Sequence, residues 1–185
     1  MAAIFTAVQE ELASIASSIG SDGLGHQRSI LNGESSSFET TKTLFKDFRG
    51  IGIPESLGGD GGSLVDLVVF IESLARKVEP TSYIIHMAAV QVALGAALNV
   101  SPAVAGNEIW TLGLFEKPGQ RWGEWECLIS DDLVSVVKIG VPYAQNCQGV
   151  VIAGANNEIA LVDQFSVTER ASLDPSLQFC DVVIS

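Results

Sequence analysis

The stretch Gly50–Ser63 reads GIGIPESLGGDGGS, six glycines in fourteen residues. Glycine runs of this density suit phosphate cradles, because backbone N–H groups close on an anion most easily where no Cβ intervenes. A P-loop also needs GxxxxGK[ST], with a lysine to reach the phosphates. No Gly-Lys pair occurs in the chain. A dinucleotide fingerprint needs GxGxxG between a strand and a helix. Gly50-Ile51-Gly52 begins that spacing, but the third position is Glu55 and the preceding residues have helical spacing. The stretch is therefore expected to turn a corner between two helices, with glycines in left-handed conformations and Pro54 stiffening the entry.

The remaining chemistry-bearing residues are sparse. The histidines are His26 and His86; the cysteines are Cys127, Cys147 and Cys180, odd in number, widely spaced and without CxxC. That pattern offers no zinc set and predicts reduced thiols. His86 lies in an apolar helical run and is expected to be a hydrogen-bonded core residue. Glu72, Asp131, Asp132 and Glu158 fall on surfaces or turns and read as solvated charge. No metal ligand and no catalytic residue is nominated.

The elements that position these residues change character near residue 106. Helical spacing predicts helices over 3–19, 40–49, 64–77 and 80–98, with a Gly/Ser-rich loop over 20–37 holding at most one helical turn. Ser63 followed by Asp66 is a capping box for the third of these, and Pro80 suits the opening of the next. The 80–98 helix is apolar nearly all round and should be buried on most sides. Beyond 107, strands are predicted at 110–115, 125–130, 133–139, 149–153, 158–162, 165–170 and 179–184, with turns at Asp131-Asp132 and Gly154–Asn157. The fold class is α+β: an N-terminal helical domain (1–106), then a small antiparallel β-barrel or sandwich domain (107–185).

Composition adds limits. Apolar residues make up 47% of the chain and charged ones 17%, against about 25% charged on average; mean hydropathy is +0.33. The longest apolar run, Tyr83–Val100, is about one turn short of a comfortable membrane span and carries His86, Gln91 and Asn99. The N-terminus has no basic region ahead of its apolar residues and reads as an amphipathic helix, not a signal peptide. A cytoplasmic chain that covers apolar surface with a partner is expected. The net charge of −12 excludes nucleic acid, which calls for a basic surface.

Gly52-Ile53-Pro54-Glu55-Ser56-Leu57-Gly58-Gly59-Asp60-Gly61, followed by a helix ending Glu72-Ser73-Leu74-Ala75-Arg76, resembles the N-terminal domain of acyl-CoA dehydrogenases. That family carries a G-x-P-E-x-x-G-G-x-G connector there. Leu114–Gly119 resembles the family's L-T-E-P-G, and Lys138–Ala144 its K-x-x-V-P-x-A; Leu173-Asp174-Pro175 is a further point of likeness. The resemblance implies FAD as cofactor, an acyl-CoA thioester as substrate, and desaturation in which a carboxylate takes the α proton and flavin takes the β hydride. The flavin supplies the hydride chemistry and the protein the positioning.

The departures shape the expectation. The resemblance covers the family's first two domains, while the catalytic glutamate belongs to a third, so no base is nominated. Glu116 stands where the family has a flavin-contacting threonine, Lys117 follows it, and Gly140 and Pro142 hold the places of a tryptophan and a threonine. A buried carboxylate at Glu116 needs a cation, for which Lys117 and Arg121 are candidates. Phe115, Glu116, Lys117 and Lys138 are the positional candidates for FAD contact. Two readings follow: a flavoprotein component forming a homo- or hetero-oligomer with another acyl-CoA dehydrogenase-like chain, or a non-catalytic scaffold subunit that has lost flavin.

Overall fold

The computed structural model describes residues 5–34, 39–129 and 135–185. The chain divides into two compact units, Met1–Tyr83 and Ile84–Ser185.

The first unit is helical: α1 (Ala7–Ile19), α2 (Gly23–Leu31), α3 (Glu39–Asp47) and α4 (Leu64–Ala75). Both α1 and α4 open on capping boxes, in which the cap side chain and the side chain three residues on each satisfy the other's orphan backbone N–H. In α1 the pair is Thr6 and Gln9; in α4 it is Ser63 and Asp66, as the sequence predicts. Gln9 Nε2 also donates to Asp66 Oδ1 at 2.8 Å, so the two boxes join. The hydrogen bond from the Ser63 N–H, with those from Gln9 and the Ser63 hydroxyl, holds the Asp66 carboxyl below its ordinary value. Ser63→Ala removes one cap acceptor. It is expected to destabilise by about 1 kcal/mol and to lower the melting temperature by about 2–4 °C, read by circular dichroism.

The core of this unit is aromatic. Phe48 stacks on Phe70 with ring centroids 5.0 Å apart, and Tyr83 meets Phe45 and Phe70 edge-on at 5.9 and 6.0 Å. The Tyr83 hydroxyl donates to Phe48 O at 2.7 Å, which satisfies the polar end of a fully buried ring.

The glycine corner is folded on itself. A 3-10 turn at Glu55–Leu57 ends on Gly58, whose φ is +84°, a left-handed conformation that favours glycine. The N–H groups of Gly52, Gly58, Gly59, Asp60 and Gly61 all donate to carbonyls of the same segment. They are thus spent on the corner itself and present no cradle to an anion. A Cβ at Gly59 would lie 2.3 Å from Ile53 O, so glycine is needed there for close approach.

One element differs from the expected loop over 20–37: residues 23–31 form the helix α2. Its start sits so close to the segment that follows α4 that a Cβ on Gly23 would lie 2.2 Å from Lys77 O. Tertiary docking, not propensity, makes the helix. The run at 80–98 narrows to α5 (Tyr83–Gly95), which begins three residues after Pro80; no residue from Tyr83 to Leu94 is exposed. A short α6 (Ser101–Val104) follows.

The second unit holds six strands among the described residues: β1 (Trp110–Gly113), β2 (Val136–Pro142), β3 (Gly149–Ala153), β4 (Ile159–Val162), β5 (Ser166–Glu169) and β6 (Phe179–Ile184). They form two three-stranded sheets, β1-β3-β4 and β2-β6-β5. The pairing is antiparallel except between β1 and β3, which run parallel. Both sheets contribute to one apolar core, Val150 and Ile152 from the first and Val141, Cys180, Val182 and Ile184 from the second. Of the two expected forms, this is the sandwich.

Residues 125–129 are not a strand. Their backbone groups are taken up elsewhere: the N–H groups of Glu126 and Cys127 go to the Glu116 carboxylate, and Cys127 O accepts from Ala155 N. The turn expected at Asp131-Asp132, and residues 130, 133 and 134, lie outside the described residues. The Gly154–Asn157 turn is present, with Asn156 and Asn157 at φ of +60° and +61°, a conformation asparagine tolerates. His86 is buried, and its Nδ1 accepts the Trp110 N–H at 3.0 Å, as expected of a core histidine.

Candidate binding site in the β unit

The site begins with an irregularity. The register of β2 against β6 shifts between Lys138 and Val141, a bulge centred on Ile139 and Gly140. Gly140 takes φ of +62°, which the bulge requires. Beyond the end of β1, Phe115 bridges to Ile139, and the Ile139 N–H donates to Phe115 O at 2.7 Å. The bulge sends Lys138 inward and brings both Ile139 and Gly140 to the surface of a pocket of about 450 Å³, lined also by Phe115, Lys117, Arg170 and Phe179.

The pleat of the chain divides the sequence candidates. Phe115 and Lys117 line the pocket; Glu116, between them, points away into the protein. Its partner is Lys138, which the sequence marks as a flavin candidate but not as the counter-ion. Lys138 Nζ lies 2.6 Å from Glu116 Oε1 and also donates to Ala153 O at 2.6 Å; its side chain is wholly buried and that of Glu116 is 10% exposed. Glu116 accepts two further bonds, from Glu126 N at 2.9 Å and Cys127 N at 3.1 Å. Burial pushes the Glu116 carboxyl up, but the Lys138 ammonium and the two N–H groups together outweigh it and hold the carboxyl below its ordinary value.

Neither expected counter-ion reaches Glu116. Lys117 pairs instead with Glu126, a contact that raises its pKa. Arg121 bonds to Glu124 through its backbone, its N–H donating to the Glu124 carboxylate and its carbonyl accepting from Glu124 N. Of the other acids named from the sequence, Glu72 pairs with Arg76 at 2.6 Å on the surface and Glu158 is exposed, while Asp131 and Asp132 lie outside the described residues.

Sequence reasoning missed Arg170 and Phe179. Both lie far along the chain and reach the pocket through the β5–β6 pairing, where Arg170 N donates to Phe179 O at 2.8 Å. Gly140, noted only as a departure from the family, is the one local signal: a glycine inside a strand marks a bulge or a close approach.

The donor set suits a flat aromatic ligand that carries negative charge. Phe115, Ile139 and Phe179 supply apolar walls, and Lys117 and Arg170 supply cations. Glu116 is turned inward and paired with Lys138, so its charge does not face the pocket. No nucleophile stands out. Cys127, Cys147 and Cys180 are free thiols, and burial pushes Cys147 up to about 12, where the thiolate is scarce. No metal-ligating group of three occurs among the described residues, and none of their helices is long and apolar enough to cross a membrane.

No family model and no curated protein matches the chain. Solved structures do. The ChsE4-ChsE5 complex from Mycobacterium tuberculosis superposes with a TM-score of 0.74 at 18% identity, over 100% of this chain and 56% of that one. Butyryl-CoA dehydrogenase from Megasphaera elsdenii gives a TM-score of 0.75 at 15% identity, over 100% of this chain and 57% of its own. The fold is that of the acyl-CoA dehydrogenases. An FAD complex of PigA shares it, with a TM-score of 0.75 at 15% identity and the same coverage, 100% and 57%. The chain thus spans a little over half the length of each of these neighbours, and at these identities the likeness is one of fold.

Proposed function

We propose that the chain is an acyl-CoA dehydrogenase-like flavoprotein component that binds FAD at the β2 bulge and handles an acyl-CoA thioester together with a partner chain. The observation that carries this reading is the aromatic-walled, cation-bearing pocket, found within a fold shared with an FAD complex. Within that site the flavin would accept a hydride from the acyl chain. Phe115, Ile139 and Phe179 would exclude water from its ring, while Gly140 lets the backbone approach without a Cβ.

The charges support a partner requirement. An α proton of a thioester is only weakly acidic, so its removal needs a carboxylate that is free to accept it. Glu116 is spent on Lys138 and two N–H groups, and Glu126 on Lys117. With these two carboxylates engaged, we look for the base on a partner chain, in keeping with a neighbour that is itself a two-component complex.

The test is purification of the chain alone and co-expressed with proteins encoded beside it, with visible absorption spectra and an acyl-CoA desaturation assay. Flavin is expected in a complex with a partner, and turnover only there. Colourless protein in every combination points to a scaffold without flavin. Desaturation by the lone chain overturns the partner requirement.

A further inference from the structure

Arg170 holds a guanidinium at the pocket with most of its fork unused. Its backbone N–H is fixed to Phe179 O at 2.8 Å. Its Nη1 donates to Asp181 Oδ1 at 3.1 Å, and the same oxygen accepts the Gly140 N–H at 3.1 Å. One carboxylate oxygen therefore ties the cation to the β2 bulge, and Asp181 is shared between two donors. The guanidinium has five N–H donors; among the described residues no other partner engages them. The Arg170 side chain is 41% exposed and lines the same pocket as Lys117, Ser172 and the two phenylalanines.

A planar fork held at its base by a carboxylate and open at its other edge matches a phosphate, which accepts two parallel N–H···O bonds. Nearby aromatic walls fit a ring carried by the same ligand. We infer that Arg170 is an anion subsite of this pocket, taking a phosphate group of an aromatic-bearing nucleotide ligand. The inference rests on the flavin reading only for the identity of the ring. The phosphate has two sources in that reading, the flavin nucleotide itself and the coenzyme A arm of the substrate, and ligand choice separates them.

The experiment titrates the full chain, and its complex where one forms, with riboflavin, FMN, FAD, coenzyme A and inorganic pyrophosphate. Flavin fluorescence reads the first three and calorimetry the others. If the phosphate is the flavin's, Arg170→Gln weakens FMN and FAD about tenfold, the scale of a lost charge-assisted bidentate contact, and leaves riboflavin unchanged. If it is the coenzyme's, coenzyme A shows the loss and the flavins do not. Asp181→Asn keeps an acceptor for Gly140 N–H but removes the competing charge, and tightens the sensitive ligand several-fold. A merely structural role for Arg170 would weaken riboflavin together with the phosphate ligands. Pyrophosphate binding that depends on Arg170, with no flavin bound, keeps the subsite and removes the flavin reading. Equal loss of riboflavin and FMN in Arg170→Gln, or no loss for any phosphate ligand, overturns the inference.

Discussion

Lys138→Met lowers the melting temperature at neutral pH by about 10 °C, the equivalent of about 3–5 kcal/mol for breaking a buried ion pair from one side. The size follows from what is left behind. Methionine fills the volume of the lysine stem but leaves the Glu116 carboxylate nine-tenths buried, with only two backbone N–H donors, and leaves Ala153 O without the lysine's bond. Removing both charges avoids that orphan. Glu116→Gln/Lys138→Met is therefore expected to be more stable than Lys138→Met alone, and the double-mutant cycle to give a coupling of a few kcal/mol. A double mutant that loses the sum of the two single losses would rule out the pair as a unit.

The same pair sets an acid limb. Glu116 has its pKa lowered in the folded chain, so its contribution is present in full above the unfolded value of 4.5 and is lost as pH falls through the folded value. Chemical denaturation of the native chain should show stability falling with acid in that window. Glu116→Gln should flatten this part of the profile. The pair also joins the 116–127 loop to the bulged strand, so an intact Glu116–Lys138 bridge positions Phe115 and Lys117 at the pocket.

What could be read from the sequence was mostly local. The Ser63–Asp66 box is a spacing of three residues, and the structure has it bond for bond. The glycine corner failed as a phosphate loop on motif grounds, and its internally satisfied N–H groups give the physical counterpart. From position 110 the sequence turns to short strand-like runs broken by turns, and five of the expected strands fall at or within two residues of those runs. The misses depend on distant residues. Residues 125–129 have strand-like composition, but a carboxylate ten residues earlier takes their N–H groups. Arg170 joins Lys117 only because β5 and β6 pair. Glu116 and Phe115 face opposite ways, as neighbours in an extended chain do, but which of them meets the pocket depends on the Phe115–Ile139 bridge to β2. Neither the parallel β1–β3 pair nor the inward turn of Lys138 leaves a signature in periodicity.

α2 is the clearest case, and it carries the second large effect. Its nine residues contain two glycines and little apolar surface, so propensity alone predicts a loop. The helix is held by His26, whose Nδ1 lies 2.8 and 3.0 Å from the two carboxylate oxygens of Glu79, a side chain with no exposed surface. Gln27 adds a bond to Val78 O at 3.3 Å. Burial raises the Glu79 pKa; the hydrogen bond and charge of His26 oppose that rise, while Asp22, whose Oδ2 lies 3.7 Å from the other ring nitrogen of His26, Nε2, adds to it. A raised carboxyl binds its proton more tightly in the folded chain than in the unfolded one. Its contribution is thus complete below the unfolded value of 4.5 and declines as pH rises through the folded value. His26→Ala removes the contacts that hold this decline in check. The variant is expected to lose about 3 kcal/mol at pH 7, where an ionised Glu79 lacks its partner, and less near pH 5, because a carboxyl raised by burial holds its proton more readily as pH falls. Glu79→Gln in the same background should remove the difference between the two pH values, because an amide does not titrate. Urea midpoints of the native chain, His26→Ala and His26→Ala/Glu79→Gln at both pH values decide the matter. An equal loss at pH 5 and pH 7 would mean that His26 serves α2 by packing and not by charge.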